Sequence, residues 1–347
     1  MANATETNGT IMRVDFYGDG ALLGSSGQLP FAFIWPNLPD GPHTVSAVAV
    51  DASGLSASSP VVPVLVQPIA ITVDSPSAPP GLSASVASDF VMVRGTYTGP
   101  SNTGVTVNGE VAETDGAGHF AMNGVPLVAG DNTIVAQMTT IDGASTSRTM
   151  SVTSSGTAPF WIGALPNTGL APLTTTVVAT SRGVGPVRAV ELSDLNGAAW
   201  DASSFDGQTL GTLTFSTPGI YVPQVAVTYG TGLTHVQTLA IVVRDGAAMD
   251  RMFTDMFNRF TSALTARDSA NALKYLTEPN RAKYGAAFAS LDARLPKIVE
   301  TFKAFGGVSI SDDIAEYALR RDVNGKVKIY LLDFLRDGDG VWRFDSM

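Results

Sequence analysis

The chain has 347 residues, enough for two to four domains, and its 44% apolar content can fill several cores. It contains no cysteine, which excludes disulfides, thiolate catalysis and cysteine-ligated metals. Residues 1–245 carry six arginines, no lysine and 17 acidic residues, whereas residues 246–347 carry nine arginines, six lysines and 14 acidic residues, so the long first part repels phosphate backbones and argues against nucleic-acid binding.

Up to residue 246, short β-rich runs alternate with turn clusters about every 8–12 residues, the spacing of sandwiches. Beyond it, helical periodicity appears. No run approaches the roughly 18 apolar residues of a transmembrane helix. The first 30 residues lack a basic start followed by an apolar core, so the signal of a secreted product would lie upstream or have been removed. Gln67–Pro68 through Ser75–Pro80, and Ser154–Pro159, read as semi-stiff linkers. These breaks predict domains at 1–67, 68–155, 156–245 and 246–347.

In the first block, Ile11–Tyr17, Ala21–Leu23, Phe31–Trp35, His43–Val50 and Ser59–Val66 are predicted strands, with turns at Asp19–Gly20, Asp40–Gly41 and Asp51–Gly54. The segments Val14–Tyr17, Gly20–Gly24, Phe31–Trp35 and Gly41–Gly54 resemble a bacterial immunoglobulin-like (Ig-like) domain. That family has a further strand before the stretch matching Ala2–Thr10, so the resemblance implies a module lacking its first strand.

The second block has strands at Val91–Tyr97, Val105–Val107, His119–Met122, Val125–Leu127, Thr133–Thr140 and Ser145–Val152, with a tight hairpin at Asn108–Gly109. Its V-x-G-x-Y, V-x-V-N-G and F-x-x-x-x-V-P-L-x-x-G-x-N-x-I segments resemble the accessory B domain of glucodextranase, a non-catalytic companion module. The third block offers Leu170–Thr180, Val187–Leu192, Gly211–Ser216, Val222–Tyr229 and Leu239–Arg244. Its A-P-L-T-x-x-V opening and T-P-G-x-Y corner resemble the polycystic-kidney-disease-type sandwich, with Asp194–Gly197 and Asp206–Gly207 in place of that family's D-G-D-G run.

In the fourth block, Met249, Met252, Phe253, Met256, Phe257, Phe260 and Leu264 mark one amphipathic helix of about five turns. Asp268 caps a second helix, Pro279 starts a third running to Leu291, and Pro296–Phe305 makes a fourth. Strands follow at Val308–Ser311, Ala315–Arg321, Lys326–Leu335 and Val341–Met347, with Asn324–Gly325 and Gly338–Gly340 as turns. Helices before an antiparallel meander predict an α+β layer. With the terminal Gly340–Met347 motif, the order resembles the nuclear-transport-factor-2-like, or cystatin-like, cone fold. The expected fold class is therefore multidomain: three all-β Ig-like sandwiches followed by an α+β cone-like domain.

His43, His119 and His235 fall in three different blocks, so they do not form one metal site. Asp337–Gly338–Asp339–Gly340 looks like a calcium-loop fragment but lacks the further oxygen ligands and distal Glu, and reads as a hairpin. Asp19, Asp40 and Asp51 sit near sandwich ends, where calcium can bind between modules. The N-x-T sequons at Asn3 and Asn8 read as chance. Relatives of the cone fold include isomerases and dehydratases that place Asp, His or Tyr in an apolar pocket for proton transfer. The residues that could do so here are Asp255, Tyr275, Tyr284, Glu316, Tyr317, Tyr330 and Asp333, and Asp333 could face either the cone or solvent.

The expectation is a secreted or cell-surface structural or interaction protein, not an enzyme, with no cofactor or metal. Its partners would be another protein or a second copy, joined through an open sheet edge. Carbohydrate is an alternative ligand, although Trp35, Trp161, Trp200 and Trp342 are spread over the chain. A small-molecule or lyase/isomerase-like pocket in the last domain is the other alternative.

Overall fold

The computed structural model describes residues 2–6, 9–29, 31–36, 38–78, 82–182, 187–195, 199–201 and 209–346. Pro79–Pro80, the Asn8 sequon, Asn196–Gly197 and Asp206–Gly207 lie outside the described residues. The chain divides into two compact units, Met1–Pro68 and Ile69–Met347.

In the first unit, strand Ile11–Gly18 pairs with Ala21–Ser26 on one side and Gly41–Asp51 on the other. Asp19–Gly20 closes the hairpin with both residues at positive φ, as a type I′ turn needs. Ser56–Ser58 and Val62–Val66 both pair with Gly41–Asp51, completing one five-stranded sheet. The 31–35 segment makes no run of strand pairing: it crosses the sheet, with Phe33 stacked on Phe16 at 6.2 Å, Trp35 against Gly18, and a single bridge from Phe31 to Ala2. Among the described residues of this unit, only Val14, Phe31 and Val50 are buried hydrophobics, while Met12, Leu22, Leu29, Ile34, Leu55 and Leu65 stay at least half exposed.

The second unit begins with two facing sheets. One has the order Glu110–Val111, Thr103–Val107, Gly130–Thr140, Ser145–Ser154 and Ala84–Val86. The other has the order Glu113–Thr114, His119–Pro126, Phe90–Thr98 and Ala70–Ile71. Val93, Val105, Phe120, Ile134 and Met138 alternate inward and are sealed between them. The expected linker from residue 67 therefore ends early. Ala70–Ile71 is an edge strand and Ser75 bridges Arg94, because the alternating apolar Ile69, Ile71 and Val73 pack on this core.

Residues 160–244 form three sheets. Phe160–Leu165, Leu173–Ser181, Thr209–Phe215 and Ala199–Asp201 make the first. Thr168–Leu170, Ile241–Arg244 and Gly219–Tyr221 make the second, and Val187–Ser193, Gln224–Tyr229 and Thr234–Thr238 the third. The strand expected over 170–180 is split at Ala171–Pro172, since proline has no N–H to give a ladder. The 154–159 stretch is not a free linker either: Ser154 and Ala158 are buried, and the Ala158 N–H donates to Asp89 at 3.1 Å.

The last part packs helices α1 (Gly246–Thr265), α2 (Ser269–Lys274), α3 (Glu278–Leu291) and α4 (Leu295–Glu300) on a four-stranded antiparallel meander, Phe302–Ile310, Ile314–Val323, Lys326–Arg336 and Trp342–Ser346. Asp245 and Asp268 cap α1 and α2 by accepting from free backbone N–H groups. The expected helix over 296–305 stops at Glu300. Phe302 and Phe305 instead pair with Arg321 and Leu319 as a strand and lay their rings against Phe257. Two glycines, Gly306 and Gly307, follow at once and disfavour helix.

Within the second unit, two asparagine side chains act as surrogate strand partners. Asn123 accepts from the Ala240 N–H at 2.7 Å and donates to its carbonyl at 2.8 Å. Asn102 does the same for Trp342, at 3.0 and 2.9 Å. Glu113 holds Arg244 and Arg336 together, with Arg336 also bonded to Asp313 at 2.7 Å. Burial pushes the Glu113 carboxyl up, but the Arg336 hydrogen bonds and the charges of Arg336 and Arg244 outweigh it and hold the group below the usual carboxylate range.

Candidate functional site

The α+β part encloses an apolar pocket of about 260 Å³ between its helices and its sheet. The i, i+3, i+4, i+7 spacing of α1 turns Phe257, Phe260 and Leu264 toward it. Helix α3 supplies Tyr284, Ala287, Phe288 and Leu291, and α4 closes one side with Leu295 and Ile298. The sheet supplies Phe302, Leu319, Arg321, Tyr330 and Leu332 from alternate positions, which is why they share one face.

Arg321 donates Nε–H to Thr301 Oγ1 at 3.1 Å, and its guanidinium lies 5.2 Å from the Phe302 ring and 5.3 Å from the Tyr330 ring. Lys328 is directly opposite Arg321 in the sheet, and Lys283 lies 5.2 Å from the Tyr284 ring.

Of the seven residues that the sequence nominates, only Tyr284 and Tyr330 line this pocket. Asp255 is exposed on α1. Tyr275 caps the end of α2 half-buried, and burial raises its hydroxyl above the ordinary value. Tyr317 is fully buried with its hydroxyl donating to Asp250 at 2.8 Å, and desolvation followed by that hydrogen bond raises its pKa. Glu316 and Asp333 face each other across two strands, on the opposite face from Tyr317 and Phe334, so Asp333 points away from the cone. Arg321 escaped the sequence reading. Its signal was its place two residues after Leu319 on an alternating strand.

A larger cleft of about 590 Å³ lies between the Asp142–Gly143 turn and the α2, α3 and 337–339 region. Five of its seven charged groups pair with one another: Lys274 bonds Asp142 at 2.9 Å, and Arg343 bonds Asp337 and Asp339 at 3.0 and 2.7 Å. The Asp337–Gly340 stretch is a hairpin turn whose carboxylates take Arg343. Asp19 is likewise occupied by His43 at 2.7 Å, and Asp51 by Ser53 and Leu55 of its own turn. Among the described residues, no three His, Asp or Glu side chains gather as a metal site requires. Trp342 is buried, Trp161 packs over Gly163 and Trp35 stands edge-on to His43.

The outer face of the terminal sheet is apolar and open. Val327, Ile329 and Leu331 alternate there at 54%, 70% and 53% exposure, with Ala318 and Arg320 as cross-strand neighbours.

Comparison with protein families matches residues 1–47 to the bacterial Ig domain. Comparison with curated proteins gives no match. Among solved structures, the fibronectin(III)-like modules of Clostridium thermocellum CbhA are 22% identical over 44% of this chain and 83% of theirs, with a TM-score of 0.27. The Bacteroides ovatus mixed-linkage glucan utilization locus protein SGBP-B, solved with a mixed-linkage heptasaccharide, is 14% identical over 70% of this chain and 68% of its own, at 0.17. Dimeric latent PorU from Porphyromonas gingivalis is 14% identical over 59% of this chain and 24% of its own, at 0.27. Overlaps this loose carry no argument about activity, and the Ig-like reading rests on the family match and the strand order. No helix among the described residues is long and apolar enough to cross a membrane.

Proposed function

We propose that this chain is a secreted or cell-surface interaction protein in which three Ig-like modules (1–67, 68–155 and 156–245) present a nuclear-transport-factor-2-like domain (246–347) that binds a ligand. The observation that carries this reading is the apolar pocket bordered by Tyr284, Arg321 and Tyr330. A concave apolar site with a few convergent polar groups is the usual form of a small-ligand site. The carboxylates nominated for proton transfer lie outside it, which supports binding over turnover.

A neutral fluorescent probe, N-phenyl-1-naphthylamine, tests the pocket directly. One saturable site is expected, lost in Ala287→Trp, where the new side chain fills the cavity. Absence of saturable binding in the intact chain withdraws the reading. A turnover screen showing lyase or isomerase activity that Tyr330→Phe removes would replace it with a catalytic one. Carbohydrate remains the alternative ligand class, and a glycan array probed with the intact chain decides it.

Self-association through the outer sheet face is a second part of the proposal. Arg320 and Glu316 flank Ala318 on one strand, and Asp333 lies opposite Glu316. A two-fold axis through Ala318 sets each Arg320 against the other copy's acidic pair while covering Ile329 and Leu331. Sedimentation of Ile329→Asp should shift a dimer to monomer; an unchanged profile removes this part.

A further inference from the structure

The pocket is lined by one cation, Arg321, whose neighbours in the sheet apolar binding alone does not explain. Arg321 and Lys328 are directly opposite each other on the same sheet face. Like charges so placed repel. Among the described residues, no carboxylate lies within the 4.0 Å of a salt bridge from either one. Lys326 precedes Lys328 by two residues on the same face, and Lys283 lies 5.2 Å from the ring of Tyr284, which lines the pocket. The acidic groups Glu316 and Asp333 are on the other face of the sheet. Arg321 is held in place by Thr301, Phe302 and Tyr330, which orders its guanidinium before any ligand arrives.

We infer that the pocket takes an anionic amphiphile, a small acid with an alkyl or aryl tail, whose tail fills the space among Phe257, Phe260, Leu291 and Leu332 and whose acid group lies between Arg321 and Lys328. The inference rests on the pocket reading above and specifies its ligand. The anion relieves the Arg321–Lys328 repulsion and accepts charge-assisted hydrogen bonds from the guanidinium, which a neutral molecule with the same tail does not do. A volume of about 260 Å³ limits the tail to a medium-length chain or a single aromatic system.

Calorimetric titration of the intact chain with octanoate, octanol, octyltrimethylammonium and acetate tests it. Octanoate should bind about tenfold more tightly than octanol, the scale of one hydrogen-bonded charge contact. The cationic ligand and acetate should not bind measurably. The double variant Arg321→Gln/Lys328→Gln should lose the octanoate preference while keeping octanol affinity, which also shows that the pocket has stayed folded. Arg148→Gln, exposed on the 145–154 strand far from the pocket in sequence, should leave the preference unchanged. Equal binding of octanoate and octanol overturns the anion inference and leaves the pocket reading standing. Failure of both, together with failure of the neutral probe, overturns the two together. A preference that survives the double variant places the anion elsewhere and overturns the inference.

Discussion

The two units of this chain are built from similar strand patterns and hold together by different means. Met1–Pro68 is one sheet with three buried apolar side chains among its described residues and many large ones exposed. Ile69–Met347 has several sealed cores, and the Asn102 and Asn123 side chains hydrogen-bond backbone groups of distant segments. Alternating sequence suffices to make strands, but stability comes from the second layer that buries them. Calorimetry should therefore show the first unit melting separately and below the second.

The sharpest way to break the difference is at Glu113. Glu113→Ala removes the carboxylate that the buried Arg244 and Arg336 share, leaving Arg336 with Asp313 alone, and should cost about 3–5 kcal/mol of second-unit stability in denaturant unfolding. The pH sign follows from its depressed pKa. The contribution is present above the usual carboxylate range and is lost as pH falls through the lower folded value, so the Glu113→Gln variant should show less acid sensitivity than the parent.

Next in size is Gly104. A Cβ there would lie 2.2 Å from the Asp339 carbonyl and 2.5 Å from the Val341 nitrogen. Gly104→Val should cost about 1–3 kcal/mol and expose the 337–341 hairpin to proteolysis. Asn102→Ala and Asn123→Ala each strand a backbone N–H and C=O, at about 1–3 kcal/mol apiece in thermal unfolding. Each should erode the cooperativity of the second unit and leave the first unit's transition in place.

The smallest effect belongs to the first unit. His43 bonds Asp19 and the Pro39 carbonyl, and the Asp19 hydrogen bond raises its pKa above the ordinary value while lowering that of Asp19. The stabilisation is complete below the usual histidine range and fades as pH rises through the raised value; the Asp19 part fades as pH falls through its own lowered value. Proton NMR titration of His43 should show the upward shift, and Asp19→Asn should abolish it.

Much of this was legible in advance. The heptad-like spacing of Met249 to Leu264 specifies α1, and Asn108–Gly109 and Asn324–Gly325 both form their turns at positive φ. Local periodicity and turn chemistry carry such elements without help. Where local signals competed, tertiary packing won: Phe302 and Phe305 left the helix for a strand facing Phe257. The pocket was legible only as a domain. Tyr284 and Tyr330 were nominated on residue type alone, together with five side chains that lie elsewhere, since type does not say which face of a strand or helix looks inward.

By itself, the sequence determined many of the strands, the first three helices, the acidic and lysine-free first part and the change of character near residue 246, because each depends on neighbours within a few positions. Only the tertiary structure decided that residues from Ile69 onward lock into one unit, that Glu113 pairs with two distant arginines, and that Arg321, directly opposite Lys328 in the sheet, lines an apolar pocket. Those pairings join residues far apart in the chain, and burial and register, which no local pattern encodes, set their energies.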